Sequence, residues 1–439
     1  MAVRTLSALA LLTAALPANL TVTGVALLRR LGIRPQREVA DRPRTILISG
    51  GKMTKALQLA RLFHRAGHRI VLVETEKYRF TGHRFSRAVD RFLVVPTPGS
   101  SGYVDALIDI VRREGVDVYV PVCSPAASIH DANAKAVLEQ WCEVIHADSE
   151  TVRRLDDKYE FFATAAELGL PVPDSHRISD PQQVSEFDFY SEDRRERNYI
   201  LKSIAYDPVH RLDLTPLPRP TRAETAAFAR SRPISADNPL VLQELVIGQE
   251  YCTHGTSRAG ALQVYACCRS SVFQVNYEMV DKPEIEKWVR RFVDALSITG
   301  QVSIDFIEAA DGTPYAIECN PRTHSAITMF YDQPDLTKAY LETGSATMTP
   351  SAASRPTYWL YHELWRMLRR PATAPERLRV VLRGKDAIFD WDDPLPHLLV
   401  PHLQMNIPAA AQPAPRPELD QSRLQHRQAR RAGGGLSHL

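Results

Sequence analysis

The most informative segment of the chain reads YAIECNPR and occupies positions 315–322. It has the alternating pattern of a β-strand, in which Glu318 and Asn320 share one face. An earlier apolar run contains Asp305, and a short Asp-Gly-Thr turn at 311–313 separates the two runs. The arrangement predicts an antiparallel hairpin that places Asp305 opposite the other two side chains.

This hairpin offers two carboxylates and one amide oxygen, which are hard ligands suited to Mg²⁺ held by nucleotide phosphates. Arg322 continues the alternation and can clamp a phosphate or another oxyanion. An exposed hairpin with a solvated polar face is the simpler interpretation, but it does not account for Asp305 inside an apolar run. The sequence therefore favours a metal and phosphate site.

Two segments before the hairpin carry patterns that also suit a nucleotide. Residues 198–202 predict a strand ending in Lys202, and a lysine among apolar strand residues needs an anionic partner. Residues 239–247 predict a strand that leads through a connector to Gly248 and Glu250. Such a connector can offer backbone groups to an adenine edge, and the acid can bind ribose hydroxyls. Taken alone, each pattern is also common in proteins that bind no nucleotide.

The N-terminal part of the chain has the pattern of an α/β module. A strand, a Gly50-Gly51 turn, a helix over 52–66 and a strand over 69–74 predict a βαβ unit with a right-handed crossover. A further strand–helix–strand pattern ends near position 146. The full G-x-G-x-x-G fingerprint is absent, so we expect a structural or substrate-side module rather than a dinucleotide site.

The whole pattern predicts an α/β and α+β protein, in which an open parallel-sheet domain precedes a two-lobed domain. The expected divisions are an apolar N-terminal segment with a basic joint (1–43), the α/β domain (44–148), the two-lobed domain (149–345), a C-terminal segment (346–408) and a tail (409–439). The tail is rich in Pro, Ala, Gln and Arg, a composition that predicts disorder.

Composition argues against some classes of protein. The chain has 54 basic and 51 acidic residues, a net charge of +3, whereas a dedicated nucleic-acid binder needs a clear basic excess. Its six cysteines form no C-x-x-C pair, so neither a zinc site nor a disulfide framework is predicted. Reduced, structural cysteines fit a cytoplasmic protein.

The N-terminus is unusually apolar, with no charged residue between positions 5 and 28. Several arginines follow this stretch, including Arg29 and Arg30, and the positive-inside rule then leaves the remainder of the chain in the cytoplasm. Three interpretations stay open: membrane association through residues 5–28, a signal peptide, and a segment packed on the protein. ATP chemistry, which is cytoplasmic, conflicts with the signal peptide.

The segments in this order resemble the ATP-grasp superfamily, over about positions 156–340. The resemblance implies a domain that binds ATP and Mg²⁺, with Mn²⁺ as the alternative ion, after an N-terminal α/β domain. The implied roles are phosphate binding by Lys158 and Lys202, an adenine hinge at Gln243, Glu244 and Val246, ribose binding by Glu250, metal binding by Asp305, Glu318 and Asn320, and stabilisation of the transferred phosphoryl group by Arg322.

A closer similarity is to the mycosporine-glycine synthases, and it extends over about positions 44–401. The similar stretches are SGGKMTKALQ (49–58), VPVCSP (120–125), ECNPRTHSAITMFY (318–331) and PTYW (356–359). This similarity implies the ATP-dependent condensation of 4-deoxygadusol with glycine, through a phosphorylated intermediate and with release of ADP. Both substrates are small molecules, no nucleic-acid partner is expected, and a homodimer is left open.

Thr323, His324 and Ser325 directly follow Arg322, which makes them candidates for contacts to the organic substrate. A packed structural role is an equal alternative for each. No glycine-rich loop follows Lys202, although ATP-grasp enzymes usually place one there as a lid. Arg211 or His210 could contact phosphate instead.

Two other functions compete with this interpretation. One is a different ATP-grasp carboxylate–amine ligase or a carboxylase, since the residues alone do not identify the acid. The other is a non-catalytic, membrane-tethered protein that binds ATP. The complete set of predicted metal ligands, Asp305, Glu318 and Asn320, speaks against the second.

Overall fold

The computed structural model of the chain describes residues 2–32, 40–122, 124–204, 213–270, 276–344 and 346–404, with side chains from position 10 onward. The described strands are β1 Thr45–Ile48, β2 Arg69–Thr75, β3 Arg91–Val95, β4 Val118–Val120, β5 Glu143–Val144, β6 Ser175–Ile178, β7 Tyr199–Ser203, β8 Leu240–Glu244, β9 Gly248–Arg258, β10 Ala261–Arg269, β11 Asn276–Tyr277, β12 Gly300–Ala309, β13 Pro314–Asn320, β14 Thr357–Tyr358 and β15 Lys385–Asp386.

The described α-helices follow in the same way. They are α1 Ala2–Gly32, α2 Thr54–Arg65, α3 Tyr103–Glu114, α4 Ser128–Leu138, α5 Ser149–Asp156, α6 Lys158–Glu167, α7 Pro181–Glu186, α8 Arg222–Arg230, α9 Pro283–Ala295, α10 Leu336–Leu341, α11 Leu360–Arg369, α12 Ala374–Arg383 and α13 Leu395–Leu399. The predicted tail and the lid candidates Arg211 and His210 lie outside the described residues.

The N-terminal domain is a five-stranded parallel sheet in the order β3-β2-β1-β4-β5. The order reverses between β1 and β4, the point at which open α/β sheets generally form a crevice beyond the carboxyl ends of the strands. Gly50 follows β1 with φ +69°, and a Cβ atom on it would lie 1.9 Å from the Val122 carbonyl oxygen. Only glycine fits this turn, which delays the start of α2 to Thr54 instead of the expected position 52.

Two antiparallel sheets form the following domain. One has the order β6-β8-β7, and its small apolar core includes Tyr199, Leu217 and Leu242. The other has the order β10-β9-β12-β13 and packs α9 against its inner face through Trp288 and Phe292. A cleft between these two lobes therefore has one sheet on each side.

The C-terminal segment is folded onto the earlier domains. β14 pairs with β11, and β15 pairs with β14. Asp393 accepts a 2.8 Å hydrogen bond from the Arg61 guanidinium of α2, and both side chains are almost fully buried. Since an unpaired charge at such depth is strongly unfavourable, this ion pair fixes the segment on the N-terminal domain.

The helix α1 packs on that C-terminal segment. The Asn19 side chain donates to the Tyr361 hydroxyl of α11 and lies 3.0 Å from Nε2 of His402. By length and composition, residues Ala10–Gly32 could cross a membrane, a property that signal sequences and core helices share. The five described cysteines are free and buried, as the sequence predicts.

Candidate functional site

The predicted hairpin is present, and its acids face each other. β12 and β13 pair antiparallel with Asp305 opposite Glu318 and Ser303 opposite Asn320. The register then shifts, so that Phe306 pairs with Ala316 and one residue of β13 is left over. This bulge turns Glu318 toward the cleft while Ala316, two residues earlier, lies in the core with no exposed surface.

Both predicted lysines approach these carboxylates from other elements. Lys158 is the first residue of α6, whose N-terminus is capped by the Asp157 side chain. Its Nζ lies 3.2 Å from Oε1 of Glu318. Lys202 extends from β7, on the opposite lobe. Its ammonium group interacts electrostatically with Glu318, Asp305 and Lys158. The cleft thus gathers residues from four separate elements.

The electrostatics of the cleft call for both a cation and an anion. Burial, followed by the nearby Glu318 charge, raises the pKa of Asp305 to about 7, while Arg322 opposes the rise. Burial also lowers the pKa of Lys202, against the pull of Glu318. A divalent cation between the carboxylates would relieve the first effect, and a phosphate beside the lysine would relieve the second.

Arg322 and Asn320 lie together at the end of the hairpin. The Arg322 guanidinium donates a 2.6 Å hydrogen bond to Oδ1 of Asn320. Asp156, the last residue of α5, completes this corner: its pKa is raised by desolvation, while Arg322 and Lys158 lower it. Asp156 belongs to no motif in the sequence, and sequence reasoning misses it.

The predicted adenine hinge connects β8 to β9. Gln243 is buried in the middle of β8, where its Nε2 lies 3.4 Å from the Ser175 hydroxyl, so its side chain does not reach the cleft. The Glu244 carboxylate forms a salt bridge with Arg197, with 3.2 Å between Oε2 and the guanidinium Nη1. The side chains of Gln243 and Glu244 are thus held by other residues, which leaves the backbone of this segment as the group that could meet an adenine edge. In this structure the Val246 N–H donates to the Glu244 carbonyl at 3.2 Å.

Glu250 lies near the start of β9, directly opposite Ile307 of β12. Its charge acts on both Asp305 and Lys202. The structure thus brings Glu250 into the same cleft as the metal and phosphate candidates.

The candidates that follow Arg322 lie against the crevice of the N-terminal domain. The Thr323 carbonyl accepts a hydrogen bond from Lys55 of α2, and the buried Thr323 hydroxyl has no hydrogen-bond partner in the described residues. The His324 backbone N–H donates to Nδ1 of the fully buried His254 at 3.3 Å. His324 also caps the 3-10 helix Ser325–Phe330 through its own ring nitrogen.

Two aromatic side chains border this corner. Tyr277 contacts the His324 ring edge-on, with the centroids 5.2 Å apart. Trp359 packs against Tyr277 at 5.8 Å and donates its indole N–H to the Thr54 hydroxyl at 3.0 Å. Lys55, Tyr277 and His254 are further site residues that the sequence alone does not indicate, because each is distant in sequence from the motif it contacts.

No cluster of three or more His, Cys, Asp or Glu side chains with metal-binding geometry occurs in the described residues. The predicted metal site contains only two carboxylates, those of Asp305 and Glu318. Its third predicted ligand is the side-chain amide of Asn320, which pairs with Ser303 on the same hairpin. That donor set still fits Mg²⁺, which keeps several waters and shares its coordination with phosphate oxygens.

No model of a known protein family matches the chain, and no curated protein matches it either. Solved structures do match. The chain is similar to N5-carboxyaminoimidazole synthetase from Staphylococcus aureus complexed with ADP, at 13% identity and TM-score 0.52, over 73% of this chain and 82% of that one. The same synthase from Aspergillus clavatus, in complex with ADP and aminoimidazole ribonucleotide, has 12% identity and TM-score 0.51, over 72% and 80%.

Biotin carboxylase from Campylobacter jejuni is similar as well, at 14% identity and TM-score 0.53, over 69% of this chain and 72% of that one. At such low identity these matches establish the fold, including the parallel-sheet domain followed by two lobes. The prediction of that architecture is confirmed, and the chain has the ATP-grasp fold.

Proposed function

We propose that this protein is an ATP- and Mg²⁺-dependent ligase that forms a carbon–nitrogen bond and releases ADP and phosphate. The observation that carries the proposal is the convergence of the Asp305–Glu318 pair with Lys158, Lys202 and Arg322 in one cleft. Phosphoryl transfer relies mainly on positioning and charge neutralisation, and this set of residues serves both.

The charge of the cleft supports a requirement for metal ions. Asp156, Asp305, Glu318 and Glu250 face three cationic side chains, Lys158, Lys202 and Arg322. A bare triphosphate would meet as much repulsion as attraction from such a set. Mg²⁺ held by Asp305, Glu318 and Asn320 would bridge the phosphates and neutralise the charge that develops there.

Each remaining residue then has a defined task. Lys158 and Lys202 reach the phosphates from opposite lobes, and Arg322 stabilises the phosphoryl group in transfer. The backbone of Glu244 and Val246 binds the adenine edge, since the neighbouring Gln243 side chain is buried. Glu250 binds the ribose hydroxyls from the start of β9.

We further propose that the acid is 4-deoxygadusol and the amine is glycine, on the strength of the sequence similarity to the mycosporine-glycine synthases. The corner beyond Arg322 supports a small hydroxylated ring, because it combines hydroxyl groups with aromatic rings. The Thr323 hydroxyl has no partner among the described residues, Ser325 is hydrogen-bonded to Tyr277, and the Tyr277 ring packs edge-on against Trp359. Aromatic walls with a few polar groups are typical of sites that bind small organic molecules.

The chemistry has two steps. The enol oxygen of the substrate attacks the γ-phosphorus of ATP, its proton leaves to solvent, and ADP departs. The glycine nitrogen then attacks the carbon that carries the phosphorylated oxygen, and the carbon–oxygen bond breaks to release phosphate. Activation is needed because hydroxide is a poor leaving group, whereas phosphate is a good one. Such a reaction takes place where ATP is supplied, so we assign the protein to the cytoplasm.

The test is incubation of the purified protein with ATP, Mg²⁺, 4-deoxygadusol and a panel of amino acids, with products identified by mass. The expected result is mycosporine-glycine and one ADP per product. Bicarbonate-dependent turnover without the cyclohexenone would indicate a carboxylase instead. ATP binding without turnover of any acid would indicate a binding protein.

The path of the oxygen tests the mechanism separately. In a short single-turnover reaction with ¹⁸O in the reacting substrate oxygen, the label should appear in inorganic phosphate. Formation of AMP and pyrophosphate would contradict phosphoryl activation. So would unlabelled phosphate when the unreacted substrate still retains its label.

A further inference from the structure

The helix α1 buries two polar side chains and exposes most of its large apolar ones, which is not expected of a helix on a soluble protein. Asn19 and Thr23 lie on the side packed against the protein, with 5% and 3% of their surface exposed. The side facing outward carries large apolar residues instead. These are Leu20, Val22, Val25, Leu27, Leu28 and Leu31. A helix on a soluble protein normally buries its apolar stripe and exposes its polar one.

The outward face is also continuous. No Asp, Glu, Lys or Arg occurs between positions 5 and 28, and only 22% of the most apolar 18-residue stretch within Ala10–Gly32 is buried. The low buried share separates α1 from the core helix of a soluble protein. A patch of this kind marks a surface that meets another apolar phase or partner.

One end of α1 carries the residue types found at the boundary of a bilayer. The Arg29 guanidinium lies 5.4 Å from the centre of the Trp391 ring, and Trp391 is 45% exposed. Tryptophan and arginine concentrate where the hydrocarbon meets the lipid headgroups, because each has an apolar body and a polar tip. Arg29 and Trp391 thus define the edge of the apolar face.

The adjoining helices α11 and α12 supply positive charge. α11 contacts α1 through the Asn19–Tyr361 hydrogen bond. Residues 360–383 contain six arginines and two glutamates, a net charge of +4, whereas the whole chain has +3. The exposed apolar residues Leu368, Leu378 and Leu382 lie among these arginines. Basic residues interleaved with exposed leucines are typical of helices that bind anionic lipid.

We propose that α1 lies along an anionic lipid surface, with its outward apolar face in the acyl boundary and the arginines of α11 and α12 at the headgroups. The helix does not cross the bilayer, because Asn19 and the fully buried Ala26 hold it against the folded protein. A second copy of the chain is a poorer occupant, since it would bring two clusters of like charge together. The proposal does not depend on the proposed reaction.

Sedimentation of the full-length protein with lipid vesicles tests this. We expect binding to vesicles of mixed phosphatidylcholine and phosphatidylglycerol, and binding at least about tenfold weaker to pure phosphatidylcholine or at high salt. V25N with L28N should weaken binding about tenfold or more, and R369Q with R370Q should remove the preference for phosphatidylglycerol. The matched controls, Y190N with L214N and R222Q with R230Q, alter exposed residues of the same kinds elsewhere and should bind as the wild type does.

Three results would overturn the proposal. The first is equal vesicle binding by wild type and by V25N with L28N. The second is a wild-type dimer that this variant converts to a monomer, without vesicle binding by either, which would assign the face to a second copy. The third is resistance of the bound protein to extraction in alkaline carbonate, which would indicate a spanning helix.

Discussion

At the scale of single residues, the sequence predicts most of the cleft and misses its periphery. Asp305, Glu318 and Asn320 are foreseeable because strand alternation places them on one hairpin. Asp156 and Lys55 are not, because the electrostatic interaction of Asp156 with Arg322 and the hydrogen bond from Lys55 to Thr323 depend on how distant elements pack. The structure also limits the predicted adenine hinge to Glu244 and Val246, because the side chain of Gln243 is buried and cannot contact adenine.

The substitution Glu318→Gln should lower turnover by two or more orders of magnitude while leaving the protein folded, because it removes one of the two carboxylates proposed to bind Mg²⁺. Lys158, 3.2 Å away, would also lose its charged partner. The measurement is kcat at saturating Mg²⁺, alongside thermal unfolding. Asp311→Asn, in the exposed turn of the same hairpin, is the control and should retain full activity. A near-normal rate for Glu318→Gln would rule out the assignment.

The substitution Lys55→Met should weaken the binding of the organic substrate more than the binding of ATP. The Lys55 ammonium holds the Thr323 carbonyl in place, and Thr323 lies outside the proposed nucleotide contacts. We expect KM for the acid to rise about tenfold, and KM for ATP to change less than about twofold. Steady-state kinetics with each substrate varied in turn gives both values. Equal increases in the two constants would mean that Lys55 supports the whole cleft.

At the scale of elements, periodicity predicts the first βαβ unit of the N-terminal domain closely, since β2 and α2 differ from the expected bounds by one or two residues. The strand β3 and the helix α3, which lie between that unit and the second strand–helix–strand, are not predicted from the sequence. The bulge in β13 is beyond prediction, because it depends on which partner residue each position pairs with. The packing of the C-terminal segment cannot be predicted from the sequence either, because the Arg61–Asp393 ion pair joins residues that are 332 positions apart.

Removal of residues 1–40 should leave kcat within about twofold of the full-length value, because every proposed site residue, Lys55 included, lies outside the deleted segment. The truncation exposes Tyr361 and His402, which now bind Asn19, so the thermal midpoint should fall. Activity and differential scanning calorimetry are the measurements. A folded but inactive truncation would show that α1 contributes to the working cleft.

At the scale of the whole molecule, the N-terminal domain and the larger lobe share one apolar core. Ile46, Ile48 and Leu59 belong to the same cluster as Val264, Ala266 and Phe330. The Phe63 and Tyr340 rings meet edge-on at 5.7 Å across this boundary. Sequence patterns place each set of residues inside its own domain, but they carry no information on which apolar faces meet.

Buried histidines should make the stability of this assembly depend on pH. Burial lowers the pKa of both His83 and His146 to about 4, so the folded state keeps them neutral where the unfolded chain protonates them. Between pH 6.5 and 4 the unfolded state therefore binds more protons, and stability falls as pH falls. Each histidine contributes up to about 1.4 kcal/mol per pH unit.

Urea unfolding at intervals between pH 7 and pH 4.5 measures this slope. The variant His83→Gln should show a shallower dependence than wild type, by about one proton. Its stability at pH 7 will also differ, because the imidazole Nδ1 binds the Gly51 carbonyl at 2.8 Å, but that offset does not affect the slope. An unchanged slope would mean that His83 is protonated in the folded protein.

The shared core also has a consequence for protein engineering. A chimera that takes the N-terminal domain of another protein with the same fold would have to recreate the contacts of Phe63 with Tyr340 and of Lys55 with Thr323. If the two chains were simply joined at a loop, the apolar surfaces of the N-terminal domain and the larger lobe would no longer fit each other. Specificity in this protein is therefore better altered by point changes along the crevice than by exchange of modules.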